Sequence, residues 1–449
     1  MFDLKRRWCI LLPFTVACAA PPAGGAADEV AWRLNDNVGG VVDVSWSSAE
    51  AARVRVEYGP DTSYGRTTPL SEVAATAQEI TVIGFAPDSE WHFRVVTVTD
   101  AGESPGPDHV VETAEAEDGL PEIELLATDG TAWGEWTLAA YGWSDVPQTG
   151  VVVLDENAQI VWHVQRDGTF IPWVELTEDN KKAVFLVGDE GRMGEYVVAY
   201  VGLDGRGYQA FPTTHAHHAM TQPEIPGVRF AYVSWVLDEW EGEPVVGDRI
   251  VEQAEDGTER EIWNAFDHLP VARHDGWEFG LYEQGADWTH ANGLYYDTAD
   301  DSYVVSLYWT DTLYKIDRET GETIWQFGGA DSDFTLVDDE GFSRQHAPEI
   351  HGNRLYLFDN GTTPSRAVEY ELDTTNWTAT KVWEWATPEE GQAGVLGDVD
   401  VLPDDQMLTG WGNLGQVNVT GLDGTVHWRA DAEPGVVIGK AQRFESFYP

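Results

Sequence analysis

Residues 313–328 read "LYKIDRETGETIWQFG". Apolar and polar side chains alternate up to Asp317, a turn containing Gly321 follows, and a second strand carries Trp325 and Phe327. Period-two alternation on both sides of a short Gly turn is the pattern of a β-hairpin. The same pattern recurs as "VVVLDENAQIVWHV" (151–164), "VAYVGLDGRGYQAF" (198–211), "IVEQAEDGTEREIWNAF" (250–266), "VEYELDTTNWTATKVWEW" (368–385) and "VNVTGLDGTVHWRA" (417–430). The turn acids are Asp155, Asp204, Asp256, Asp317, Asp373 and Asp423, spaced by 49, 52, 61, 56 and 50 residues.

A hairpin repeated at about 40–50 residues is the period of a propeller blade. One four-stranded blade cannot bury both its faces, whereas blades packed radially bury them and ring closure removes the free ends. Six copies therefore predict an all-β chain with a six-bladed β-propeller over residues 120–449. Trp162, Trp263, Trp325, Trp383 and Trp428 recur at one phase of the repeat and are expected in the core between blades, with Tyr208 near that slot in the second copy. No stretch holds a 3.6-residue apolar period with caps at both ends, so long helices are not expected. The segment "GDVDVLPDDQMLTGWGNLGQV" (397–417) reads as the last blade, and "GKAQRFESFYP" (439–449) as a strand that completes the first blade and closes the ring.

Upstream, residues 29–115 hold short strands separated by turns: "VVDVSWSS", "ARVRVEYG", "AQEITVIGF", "EWHFRVVTVTD" and "HVVETAE". They predict a small β-sandwich in front of the propeller. With Trp46, "FAPDSEWHFRVV" (85–96) and "AGESPG" (101–106), this segment resembles a fibronectin type III domain, with Trp91 where that family has its corner Tyr. The resemblance implies a spacer or docking unit.

Residues 1–28 read as an export signal and tether. Lys5, Arg6 and Arg7 precede "WCILLPFTVACAA", which is apolar but too short for a stable bilayer span. "FTVAC" resembles a lipobox with Cys18 as the acylated residue, and Ala19 after it fits sorting to the outer membrane. Plain cleavage after "ACA" or "CAA" is the other reading. The expectation is an exported protein, periplasmic or held at the outer membrane or cell surface as a lipoprotein. The membrane is met only through that lipid.

Lys and Arg number 26 against 78 Asp and Glu, a formal charge of −52. Such a surface repels phosphate backbones and anionic membrane faces, so nucleic acid is excluded as a partner. The acidity is spread along the chain, as in proteins kept soluble in saline surroundings; calcium or a basic partner would be the other uses. The two cysteines, Cys9 and Cys18, lie in the leader, so no disulfide and no Cys-based metal site is expected in the folded part.

In a propeller, functional residues collect on loops at one end of the central channel. "FPTTHAHHAMTQPEIPG" (211–227) offers His215, His217 and His218, which could be zinc ligands, substrate or catalytic groups, or loop structure; in extended chain His215 and His217 would share a face. "GADWTHANGLYYD" (285–297) offers His290 and Asn292, an imidazole and an amide that could bind an oxyanion together, or a loop capped by Asn292 and Gly293. "GFSRQHAPEIHGNRLYLFDNG" (341–361) offers His346 behind Gln345, with Arg344 and, beyond it, Arg366 as scarce cations; His351 is expected to be exposed.

These motifs in this order resemble the arylsulfotransferase family. The "H-x-N" pair, "IDRETGETIWQFGG", the "F-x-x-QH" segment and its "DNG" turn carry the likeness, strongest over 283–449 and weaker over 120–282. The resemblance implies transfer of a sulfuryl group from an aryl sulfate donor to a phenolic acceptor through a sulfohistidine, with no cofactor, no metal and no nucleotide donor. By resemblance His346 is the nucleophile. His290 and Asn292 bind the sulfuryl oxygens and assist proton transfer, and His218 or its neighbour His217 is the remaining channel histidine. The family Arg after the "H-x-N" strand is Tyr308 here, in "VVSLYWTD" (304–311). Tyr308, Arg344 and Arg366 are then candidates for binding substrate. Two rival readings remain: a catalytically inactive propeller lipoprotein that binds a ligand or protein, and a quinoprotein dehydrogenase, which would need a calcium and quinone site.

Overall fold

The computed structural model describes residues 29–115, 119–143, 148–167, 169–189, 196–278, 282–386 and 391–448. Cys18 and the rest of the export signal lie outside them.

Six sheets, one per repeat, form a β-propeller; all are antiparallel except for a short parallel edge strand in each of the third and fifth. Blade 1 is built from Trp136–Trp143, Gln148–Leu154 and Ile160–Asp167, with Val436–Phe444 as its innermost strand. Blade 2 runs from Val174–Leu176 to Gln209–Pro212, blade 3 from Ala216–Thr221 to Glu259–Asn264, and blade 4 from Ala291–Asp297 to Thr323–Gly328. Blade 5 runs from His346–His351 to Thr378–Ala386, and blade 6 from Asp398–Leu402 to Val426–Ala432. The C-terminal strand thus closes the ring, as the sequence predicts. A second closure comes from Ile123–Thr128, which pairs with the outer strand of blade 6. Helix is confined to Ala265–His268 and a 3-10 turn at Asp275–Glu278 among the described residues.

The six turn acids recur for a local reason. Each accepts a hydrogen bond from a backbone N–H two residues on, or three in the case of Asp317, and so fixes the turn through its side chain. The repeated tryptophans fill the wedges between blades and are all buried. The indole N–H of Trp162 donates to Leu203 O of blade 2 at 2.9 Å, and that of Trp428 donates to Glu156 O of blade 1 at 3.0 Å. Tyr208 does not occupy this slot in blade 2; it is 53% exposed. Phe211 takes it, packing on Tyr200 and Phe230. Its offset from Asp204 equals that of Trp162 from Asp155, a register that the aromatic next to the turn obscured.

The N-terminal β-rich region is organised around one long strand, Val41–Gly59, whose first half lies between Glu29–Leu34 and Ala75–Ile83 and whose second half pairs with Glu90–Thr99. Trp46, Val54, Tyr58, Phe85, Trp91 and Phe93 form its core. It sits on blades 1 and 2 through buried charge. Asp43 receives Arg206 of blade 2 at 2.8 Å, and Arg66 reaches Asp155 at 2.7 Å. The chain end is caught in the same seam. Phe447 packs at a tilt on Trp136 with centroids 4.6 Å apart, and the Tyr448 hydroxyl accepts from Ile83 N at 3.0 Å. Phe447→Ala should therefore loosen both seam and closing strand at once. The expected loss is about 3–5 kcal/mol, read as a lower midpoint in thermal or denaturant unfolding.

Candidate functional site

The inner strands of blades 3, 4 and 5 begin at one end of the ring, and each beginning is irregular. Register shifts interrupt the pairing of Ala216–Thr221, Ala291–Asp297 and His346–His351. His218, His290 and Arg344 adopt φ of 53°, 52° and 58°. Non-glycine residues pay about 1–2 kcal/mol for that conformation, so a packed surrounding has to enforce it. Blades 4 and 5 also meet closely: a Cβ on Gly293 would lie 2.4 Å from Pro348 Cδ and 2.9 Å from Ala347 N. Only glycine allows that approach.

The side chains converge. The rings of His218 and His290 are 4.6 Å apart, Tyr308 is 5.4 Å from His290, and Tyr308 is 5.7 Å from His346, all centroid to centroid and edge-on. Residues separated by more than a hundred positions thus meet where the inner strands of blades 3, 4 and 5 begin. His215 does not share a face with His217. It turns outward and stacks on Trp235 at 3.8 Å, because the left-handed backbone at His215 (φ 56°) breaks the strand alternation.

Each histidine is set by a second residue. His346 Nδ1 is 2.7 Å from Asn360 Oδ1. The Asn360 amide nitrogen donates to Ala393 O and Leu396 O, both at 2.7 Å, which fixes the amide's orientation. Its oxygen must therefore accept, so the proton of neutral His346 sits on Nδ1 and the lone pair on Nε2 is left for chemistry. Burial, with the charge of His290 nearby, pushes the His346 pKa down to about 4, against a partial offset from the Asn360 bond.

His290 is opposite in character. Burial alone would lower its pKa, but Asp287 Oδ2 at 2.8 Å from Nδ1 outweighs that and the net shift is upward. Burial and then the charge of His290 hold His218 well below the ordinary value. Two imidazoles side by side are thus driven apart, one toward the cation and one toward the neutral base, which is how acid and base roles are divided. His217 is fully buried. Its Nε2 bonds Asp248 Oδ1 at 2.7 Å and its Nδ1 bonds His218 Nδ1 at 2.8 Å, so it supports His218 from behind. Asp248 also accepts from Thr289 Oγ1 and Ala291 N, both at 2.6 Å, tying blade 3 to the entry of blade 4. Burial would raise its pKa, but His217 and these donors bring it below the usual carboxylate value.

The "F-x-x-QH" spacing has a mechanical explanation. Phe342 anchors in an aromatic cluster with Phe327 and Tyr370. The side chain of Gln345, fully buried, donates to Ser306 Oγ at 3.0 Å, and its backbone carbonyl accepts from Asn292 Nδ2 at 2.8 Å. Asn292 is thus bound first to the strand bearing His346, and only its second N–H is left for a ligand.

Arg366 requires a correction. All five of its N–H groups are engaged, by Asp359, by Asp339 twice, by Glu384 and by Gly341 O. It neutralises buried acids beneath the "DNG" turn and has no donor to offer a substrate. Arg344 does reach the pocket, lying over the rings of Tyr308 at 5.0 Å and Trp309 at 4.4 Å.

Asn360, Asp248 and Asp287 escaped the sequence reading. Asn360 looks like an ordinary turn residue, Asp248 sits in an unremarkable strand, and Asp287 is one of 78 acids; its place three residues before His290 was the available signal. If Asn360 sets the tautomer, Asn360→Ala should slow the chemical step on His346 by on the order of ten- to a hundred-fold with little change in substrate affinity. Single-turnover kinetics would check this. Among the described residues, no group of three or more His, Cys, Asp or Glu is arranged to hold a metal ion.

The family model described as Arylsulfotransferase (ASST) matches residues 135–431. No curated protein matches the chain significantly. Similar solved structures include a periplasmic gluconolactonase of Pseudomonas aeruginosa (14% identity, 80% of this chain and 97% of that one, TM-score 0.39). A second is a putative 6-phosphogluconolactonase of Bacteroides fragilis (12%, 87% and 98%, 0.36). A third is a protein of unknown function from Bacteroides caccae (13%, 67% and 94%, 0.38). Likeness at this level says nothing of activity.

Proposed function

The chain belongs to the arylsulfotransferase family, and on that premise we propose that it moves a sulfuryl group from an aryl sulfate to a phenol through a covalent adduct on His346. The observation that carries this reading is the Asn360 bond, which leaves a neutral imidazole with its Nε2 lone pair free in a pocket shared with His290.

In the first half-reaction His346 Nε2 attacks sulfur. The S–O bond to the aryl group breaks, the electron pair goes to the aryl oxygen, and the His290 imidazolium gives its Nε2 proton to that oxygen. Phenol leaves. The sulfurylated His346 ring is now positive and keeps its Nδ1–H on Asn360 Oδ1. In the second half His290 takes the proton of the incoming phenol, the phenolic oxygen attacks sulfur, and the S–N pair returns to Nε2. Asp287 steadies His290 as it changes charge, and His218 stays neutral beside it. Asn292 holds the strand and offers one N–H to a sulfuryl oxygen. Positioning and compensation of oxygen charge supply most of the acceleration such a transfer needs.

The pKa directions give a test. His346 must be unprotonated and His290 protonated, so kcat/KM should be bell-shaped. The acid limb should lie near pH 4, from His346, and the basic limb above 6.5, from His290. Steady-state rates with a chromogenic aryl sulfate and excess phenol across pH 3–9 would measure it. A single limb rising through pH 7 would contradict the assignment.

We also propose export with lipidation at Cys18, and a fibronectin type III-like role as a spacer for the N-terminal β-rich region, since its buried Trp46 core and its charged seam suit a rigid mount. Mass spectrometry of the exported protein should find an acylated Cys18 at the N-terminus, and an intact Met1 would overturn the proposal.

A further inference from the structure

Tyr308 lies in the turn between Ser302–Leu307 and Thr312–Asp317, with its ring between those of His290 and His346. A phenol there can bond an oxyanion but brings no charge. An ester sulfate entering a protein of charge −52 needs a cation at the point of docking. Arg366 cannot supply it, for the reason given above. Arg344 comes to the same place from the other blade. It precedes His346 by two residues, its left-handed backbone turns it toward blade 4, and its guanidinium covers the faces of Tyr308 and Trp309. Its one carboxylate contact among the described residues is with Asp311, at 3.9 Å, well short of a tight ion pair. The side chain is 27% exposed, so a ligand can reach it. A guanidinium has five donors in a planar fork, and most of this one remain for an incoming anion.

We propose that Arg344, held by Tyr308 and Trp309, is the residue that docks the sulfuryl oxygens of the donor, so that the charge comes from the strand of the nucleophile and not from the hairpin of blade 4. The ligand class is a monoanionic R–SO3 group, ester or sulfonate. The role rests on the sulfuryl-transfer reading for its use in catalysis, but the docking itself can be measured apart from transfer.

The test uses the full chain and two readouts: binding of 4-toluenesulfonate, an inert analogue, followed by tryptophan fluorescence, and steady-state kinetics with an aryl sulfate donor. Arg344→Gln should raise the sulfonate Kd and the donor KM by about ten- to a hundred-fold and leave the acceptor KM unchanged. Arg344→Lys should recover part of the loss, since a point charge replaces the fork. Tyr308→Phe should weaken donor binding by a smaller factor, about three- to ten-fold. Thermal unfolding of each variant would exclude a loss through misfolding. If Arg344→Gln, folded, binds sulfonate and donor as wild type does, the proposal is overturned, even where transfer activity is found. If wild type binds sulfonate through Arg344 but transfers nothing, docking stands and the transfer reading fails.

Discussion

His346→Asn is expected to abolish turnover of aryl sulfates, with a fall on the order of 10⁴ or more in kcat, the scale seen when a covalent nucleophile is removed. An amide nitrogen has no lone pair to give to sulfur, so neither half-reaction can start. The fold should survive. His346 contributes little to the apolar core, and its carbonyl neighbours are held by Gln345, whose bonds to Ser306, Leu307 and Thr312 the substitution leaves alone. An asparagine can also still donate to Asn360 Oδ1. The variant should therefore melt near wild type and bind donor while releasing no phenol in a continuous absorbance assay. Activity within ten-fold of wild type would mean that sulfur is attacked by another group or by the acceptor directly.

His290→Asn is expected to cost about two to four orders of magnitude in kcat, the range for losing a proton-transfer group. The loss should depend on the leaving group. A 4-nitrophenolate departs with little help, whereas an unactivated phenolate needs its proton, so the deficit should grow as the donor's phenol becomes less acidic. The basic limb of the pH profile should move or vanish, because it belongs to the His290–Asp287 pair. An equal loss for all leaving groups would reassign His290 to binding. Asp287→Asn should reproduce part of the effect. It would remove the carboxylate that raises the His290 pKa, and it would also disturb Trp309, whose indole N–H donates to Asp287 at 2.7 Å.

The blade count was legible because it rests on local physics repeated six times. An aspartate that caps its own turn and an aromatic in the strand that follows it need no knowledge of tertiary structure, and closure by the C-terminal strand followed from the same count. The repeat also misled where two aromatics competed for one offset, as with Tyr208 and Phe211. At the site, His290, Asn292, His346 and one of His217 and His218 could be named from sequence because their motifs resemble those of the arylsulfotransferase family in the same order. Their partners could not. Asp248 reaches His217 across 31 residues and Asn360 reaches His346 across 14, and nothing in a strand's alternation marks the residue that will be opposite. The two arginines show the same limit: as scarce cations they look alike in sequence, and only the carboxylates around Arg366 and the aromatic rings under Arg344 separate their roles.

A covalent sulfuryl group on His346 should be trapped by rapid-quench mixing of enzyme with a labelled aryl sulfate in the absence of acceptor. A burst of one phenol per active site should precede slow release, with the label recovered on the peptide containing His346 and discharged when phenol is added. A burst that persists in His346→Asn, or label found on His218 or His290 in place of His346, would contradict it, as would wild-type turnover with no burst and no labelled protein.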